Sequence, residues 1–321
     1  MNSGVFVGQG RYELLACLGR GGSGAAYRAV DRGVPFEREV CIKRLHARAL
    51  QGQAAALREE ARLLARVRHA NVVSLLEIGE DDGGAPFLVL ELIRGCNLRE
   101  LVQRTAAPFP VLVAIHVACG VARALAAVQG VLPGLVHRDV TPHNVLVSTE
   151  GEVKLADFGI ALSRDRERST GPTIVKGKLG YMAPEQIRGE ALDPRCDLFA
   201  LGVLLYELLA GVRPCAPKLG LAEVRAVAEG AAVPLSERRP GLPRDLLSAV
   251  ARLLAIRRES RCPSAEDALR WLAPFGAGDL GSLRLASILR TMEDSGSLLP
   301  LESSASSPTC APLSRRMAPE G

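Results

Sequence analysis

The chain has 321 residues, 48% of them hydrophobic, enough to bury one large core or two adjoining ones. Its formal net charge is only +5, and no tract of five or more consecutive basic residues occurs, so the arginines read as solvated surface and nucleic-acid binding is not indicated. The eight cysteines (17, 41, 96, 119, 196, 215, 262 and 310) stand singly with no CxxC spacing, which argues against a zinc or dithiol redox site and fits a reducing, cytoplasmic setting.

Met1 to Gly10 has neither a basic start nor an apolar stretch, so no signal peptide is expected, and residues 1–11 read as an N-terminal extension. Residues 12–95 read as a small β-rich lobe. RYELLACLG, GAAYRAV and REVCIKRL are short strands punctuated by Gly and Asp-Arg-Gly, and PFLVLELI is another. Between them Gln51 to Arg68 predicts a helix, with Leu57, Ala61 and Leu64 on one face.

From 96 to 273 the chain is mainly helical. Val111, Ile115, Ala118, Ala122 and Leu125 form one stripe; Leu246, Leu247, Val250, Leu253 and Leu254 form another. The run LFALGVLLYELLA at 198–210 contains Glu207 and is too short for a bilayer, so a buried helix is expected and no membrane span. SRDRERSTGPT, residues 163–173, must be exposed. Residues 274–321 read as a Ser/Pro-rich, disordered tail with one amphipathic helix near 282–293.

GRGGSG (Gly19, Gly21, Gly22, Ser23, Gly24) is a weak signal by itself, since a plain turn reads the same way. A Rossmann unit needs a helix directly after the third glycine, and Asp31-Arg32-Gly33 instead suggests a hairpin. In VCIK, strand alternation puts Cys41 and Lys43 on one face, opposite Val40 and Ile42. Glu60 lies between Leu57 and Leu64 and points inward, where an unpaired carboxylate is costly, so Lys43 is its natural partner. The competing expectation pairs Glu60 with Arg62 or Arg66.

HRD at His137–Asp139 with Asn144, DFG at Asp157–Gly159 and APE at Ala183–Glu185 follow in that order. With these motifs the chain resembles a protein kinase of the bacterial eukaryotic-like (Hanks-type) Ser/Thr group over residues 12–273. Small-molecule phosphotransferases share the HxDxxxxN loop, but Arg138 and the APE segment favour protein kinases.

The resemblance implies an α+β, two-lobed kinase fold that uses ATP and Mg²⁺, with Mn²⁺ as an alternative, and acts on protein substrates. It implies a glycine-rich loop, Gly19 to Gly24, over the phosphates and Lys43, oriented by Glu60, on the α/β-phosphates. Asn144 and Asp157 would be metal ligands, and Asp139 the base for the substrate hydroxyl. Leu90 would stand before a hinge of Glu91 to Ile93, while Ala26, Cys41 and Leu146 would sandwich adenine. His137, Phe158, Leu64 and Leu75 resemble the internal spine, Asp197 its anchor, and Glu185 with Arg261 the large-lobe ion pair. Arg138 suggests control by phosphorylation at Thr173, Thr170 or Ser169, by the chain itself or an upstream kinase.

One departure stands out. Thr141 occupies the place of the family's phosphate-contacting lysine, and Lys178 in GKLGY that of its hydrogen-bonding threonine. A unit charge about 4 Å from a phosphate oxygen is worth on the order of 4 kcal/mol at an effective dielectric near 20. Fully expressed in the transition state, that is up to roughly a thousandfold in rate. Two expectations follow: an enzyme whose exchanged residues preserve the contact, or a nucleotide-binding pseudokinase scaffold without useful turnover.

Overall fold

The computed structural model describes residues 5–20, 24–45, 50–81, 83–105, 108–158, 179–215, 222, 226–227 and 229–294. A six-stranded antiparallel sheet forms the small lobe, in the order β1-β2-β3-β4-β6-β5. Its strands are β1 (Val5–Val7), β2 (Tyr12–Arg20), β3 (Gly24–Asp31), β4 (Arg38–Leu45), β5 (Leu75–Glu80) and β6 (Pro86–Glu91). Helix α1 (Leu50–Leu64) packs on it through Leu57, Ala61 and Leu64, all buried. The far face closes over Val7, Tyr12, Ile42 and Phe87.

The expected N-terminal extension contains β1. Val5–Val7 pairs with β2, and Val7 belongs to the small-lobe core, so the packed body starts before residue 12. Three residues are too short for a periodicity to register; only the neighbouring strand makes them one.

The large lobe begins with a ribbon of β7 (Gly95–Asn97), β8 (Val145–Ser148) and β9 (Val153–Leu155), ordered β7-β8-β9. Around it lie α2 (Leu98–Arg104), α3 (Val111–Val131), α4 (Pro184–Ile187), α5 (Arg195–Ala210), α6 (Leu235–Arg238), α7 (Arg244–Leu253), α8 (Ala265–Leu272) and α9 (Leu280–Asp294). The stripe expected for α3 understates it, because Val113, Ala114, Val117 and Val121 are buried as well. α3 is long and apolar enough to cross a membrane by length and composition, but two-thirds of its most apolar stretch lies inside the protein. It is the central post of the lobe, with α5, α8 and α9 against it.

One buried ion pair locks the large lobe. Arg261 donates to both Glu185 oxygens, at 2.6 and 3.0 Å, and to the Ala255 and Arg195 carbonyls. Burial pushes the Glu185 carboxyl up, and the Arg261 guanidinium more than reverses this, leaving it below its usual range. Helix α9 adds Leu285, Leu289 and Met292 to the same core. Packing therefore runs past the expected boundary at 273, to Asp294.

Candidate active site

The cleft between the lobes gathers most of the residues singled out above. β4 carries Lys43 opposite Ala26 of β3, and Cys41 opposite Leu90 of β6, so the four line one stretch of sheet. Val40 and Ile42 point the other way into the core. Glu60 is 4% exposed, and Lys43 Nζ stands 2.8 and 3.1 Å from its two oxygens. Arg62 pairs instead with Glu59. The same ammonium donates to Asp157 Oδ1 at 2.8 Å. Burial lowers the Lys43 pKa, but Asp157 and Glu60 outweigh it and hold it above the ordinary lysine value.

The HRD loop is fixed from below. Asp197, buried at the start of α5, accepts the backbone N–H of His137 at 2.7 Å and of Arg138 at 2.8 Å. Burial pushes its pKa up to about 7 against the pull of these donors. His137 Nε2–H donates to the Ala156 carbonyl at 3.1 Å, its Nδ1 accepts from Asp139 N, and its ring lies 4.6 Å from that of Phe158. Of three non-glycine residues with left-handed backbone among the described ones, two sit here: Arg138 at φ 67° and Asp157 at φ 54°. Such conformations cost on the order of 1–3 kcal/mol each and persist only where surrounding contacts enforce them. The Asp197 bond to Arg138 N and the Lys43 bond to Asp157 are two such contacts.

Asn144 donates to Asp139 Oδ2 at 2.9 Å and to the Asp139 carbonyl at 2.8 Å. Its amide nitrogen is thereby spent, and its amide oxygen is left as the remaining acceptor. Asp139 is only half-buried. Thr141 behaves differently. It is 2% exposed, and its Oγ1 is the one buried side-chain polar atom without a hydrogen-bond partner among the described residues.

Ile93 and Leu146 are partly buried against the core, and Leu146 pairs with Asn97 and Lys154 in the ribbon. Gly19 has open space where a Cβ would project, so no protein packing demands a glycine there. At Gly24 the demand is internal: a Cβ would meet the Arg44 carbonyl at 2.1 Å. Gly21, Gly22 and Ser23, as well as Lys178, Thr173, Thr170 and Ser169, lie outside the described residues.

Sequence reading missed the contacts that tie the hinge. Glu91 Oε1 accepts from Lys154 Nζ at 2.9 Å and from Ser74 N at 2.8 Å. The segment before β5 is itself stapled to β9, through Asn71 Nδ2 to the Val153 carbonyl at 2.7 Å and Val73 N to the Leu155 carbonyl at 3.0 Å. At the other end of the hinge, Arg94 reaches Glu39 of β4 at 3.1 Å, and Arg28 also pairs with that carboxylate. A lysine inside the apolar strand EVKLA was the available signal for the first of these.

This geometry agrees with comparison to known proteins. The family model for the protein kinase domain matches residues 12–271. The chain is 36% identical over 296 residues to the tyrosine-protein kinase MasK of Myxococcus xanthus, covering 88% of this chain and 46% of that protein. It is 36% identical over 276 residues to the DNA damage-responsive serine/threonine-protein kinase RqkA of Deinococcus radiodurans, covering 84% and 40%. It is 40% identical over 206 residues to the serine/threonine-protein kinase PknL of Mycobacterium bovis, covering 64% and 50%. The chain thus spans half or less of the length of these relatives. With the match to the family model extending over most of its length, the chain belongs to the protein kinase family.

Proposed function

We propose that the chain is an ATP- and Mg²⁺-dependent protein kinase that transfers the γ-phosphate to serine or threonine hydroxyls of protein substrates. The observation that carries this reading is the joint engagement of Lys43 with Glu60 and Asp157, which ties β4, α1 and the DFG aspartate into one cluster.

The donor set fits the nucleotide and its metal. Asp157 is half-exposed and Asn144 retains its amide oxygen, so a hard cation would find two oxygen ligands facing the cleft. Bound there, Mg-ATP supplies the transferable phosphoryl group and neutralises its charge.

The chain's own residues would do the positioning. Lys43 would hold the α/β-phosphates, and the Gly19–Gly24 segment would lie over them. The Glu91–Ile93 backbone would take the adenine edge between Ala26, Cys41 and Leu146. Asp139, held at Oδ2 by Asn144, would accept the proton of the incoming hydroxyl. Catalysis would rest on orientation and preorganised charge, with no covalent intermediate.

Thr141 and Lys178 would exchange duties: Lys178 supplies the charge at the γ-phosphate and Thr141 the hydroxyl beside it. The unpartnered Thr141 Oγ1 supports this, since a buried hydroxyl without a bond is waiting for one. Arg138, exposed beside the base, would receive a phosphate at Thr173, Thr170 or Ser169 after autophosphorylation. The names of the relatives include both serine/threonine and tyrosine kinases, so phosphoamino-acid analysis decides the acceptor class.

The test is transfer of labelled γ-phosphate from Mg-ATP by wild type, Asp139→Asn and Lys178→Ala. Transfer by wild type, its loss in Asp139→Asn and at least a tenfold drop in Lys178→Ala are expected. Nucleotide binding with no transfer above the Asp139→Asn background would instead identify a pseudokinase.

A further inference from the structure

We propose that helix α9, which lies wholly outside the residues matched by the family model, is a positioning element of the nucleotide site. It acts from behind on the β7–β8 ribbon, and the inference rests on reading the cleft as the ATP site.

The helix is seated more closely than a surface helix needs to be. Gly281, Leu285, Leu289 and Met292 face inward at i, i+4 and i+3 spacing and are buried. A Cβ on Gly281 would stand 2.6 Å from His116 Cβ and 2.9 Å from the Leu112 carbonyl of α3. A Cβ on Gly151, in the turn between β8 and β9 at φ +84°, would stand 2.2 Å from the Ser282 carbonyl. Two glycines on opposite partners thus permit one contact, between the start of α9, α3 and that turn.

The polar contacts converge on the same turn. The Gly151 carbonyl accepts from His116 Nε2–H at 2.8 Å and from Ser282 Oγ at 3.3 Å, and Ser282 Oγ also lies 3.4 Å from the Glu150 carbonyl. On its other side the turn holds the exit of the hinge. Thr149 N donates to the Arg94 carbonyl at 2.9 Å, and Gly95 pairs with Ser148. The Arg94 side chain continues to Glu39 on the roof of the cleft.

Helix α9 therefore braces the ribbon at the 149–152 turn. β8, which runs into this turn, carries Leu146, paired with Asn97 and assigned here to the floor under adenine. What holds the turn sets where the hinge leaves the large lobe, and so where the floor and the hinge backbone stand relative to each other. The chemistry at Asp139 is not touched by this path, so the effect belongs to nucleotide affinity more than to the transfer step.

The test uses the full chain. Leu285→Asp with Leu289→Asp undocks α9, Ser282→Ala with His116→Phe removes the two bonds to the Gly151 carbonyl, and Leu283→Ser, on the exposed face, is the control. The readouts are the Kd for a fluorescently labelled adenine nucleotide, and KM for ATP beside kcat. The undocked variant is expected to raise Kd and KM at least fivefold with kcat within twofold. The bond-deletion variant should raise them two- to fivefold, Ser282→Thr should restore its share, and the control should match wild type. A folded undocked variant with wild-type Kd and KM overturns the inference. If that variant does not fold, unchanged Kd and KM in the bond-deletion variant overturn it equally. If wild type binds no labelled nucleotide, the reading of the cleft falls and this inference with it; binding by wild type with unaffected variants removes this inference alone.

Discussion

Lys154 on β9 reaches Glu91 at the end of β6 with Nζ 2.9 Å from Oε1, so the strand leading into Asp157 is tied to the strand leading into the hinge. Ser74 N closes on the same oxygen, which makes one carboxylate the meeting point of three segments far apart in sequence.

Both partners are largely buried, so losing the ammonium strands a carboxylate that has only a backbone N–H left. Lys154→Met is expected to lower stability by about 1–3 kcal/mol. Adding Glu91→Gln should cost less than the two single changes summed, because the interaction is lost only once. Urea unfolding of the four proteins measures this, and strict additivity would contradict the coupling.

Lys43 is held between two carboxylates, and the consequences of removing it divide cleanly. Lys43→Met leaves Glu60 buried without its cation and removes the ammonium that holds Asp157. Transfer of labelled phosphate is expected to fall by a factor of at least about 10², corresponding to roughly 3 kcal/mol of transition-state stabilisation. Glu60→Gln keeps a hydrogen-bond acceptor and should fall less. A kinetic assay in which Glu60→Gln is the worse of the two would reverse the assigned order of contact.

The Glu185–Arg261 pair carries a pH signature. The Glu185 pKa is depressed in the folded protein because Arg261 outweighs the burial that pushes it up. A depressed carboxyl contributes stability that is fully present above its unfolded pKa and lost as pH falls through the folded one. Breaking the pair with Glu185→Ala is expected to cost about 3–5 kcal/mol at neutral pH, because Arg261 stays buried without its counter-charge. The gap between wild type and Glu185→Gln should therefore be constant at neutral pH and narrow only within and below the usual carboxylate range. Thermal melts across that range would show it, and a gap that widens on acidification would contradict the sign.

What was legible in the sequence was local. The two-residue alternation of VCIK puts Lys43 on the cleft face without any knowledge of the rest, and the spacing of Leu57, Glu60, Ala61 and Leu64 turns Glu60 inward. The HRD loop was legible because its motif residues lie within a few positions of one another. The Lys154–Glu91 contact spans 63 residues and joins two strands that are not hydrogen-bonded neighbours, so no period or spacing announces it. β1 is too short to have a period, and α3 carries more apolar residues than one stripe needs, so a single stripe understates its burial. The seating of α9 depends on Gly151 and Gly281 facing other chain segments, and a glycine in sequence does not say what approaches it.

Thr141 offers the most direct test of the exchanged residues. Its Oγ1 is buried and has no partner among the described residues, and a hydroxyl in that condition costs stability relative to a methyl group of the same shape. Thr141→Val is therefore expected to raise the stability of the nucleotide-free protein by about 1 kcal/mol. If the hydroxyl serves only packing, phosphate transfer should be unchanged or slightly improved. If it is kept for a bond formed with Lys178 or the transferred phosphate, the same variant should be more stable and at least tenfold slower. We expect the second result, because a destabilising buried hydroxyl two residues from the proposed base is explained by use and not by packing. Unfolding and transfer measured on one preparation decide it, and a variant that is both more stable and fully active would remove Thr141 from the mechanism.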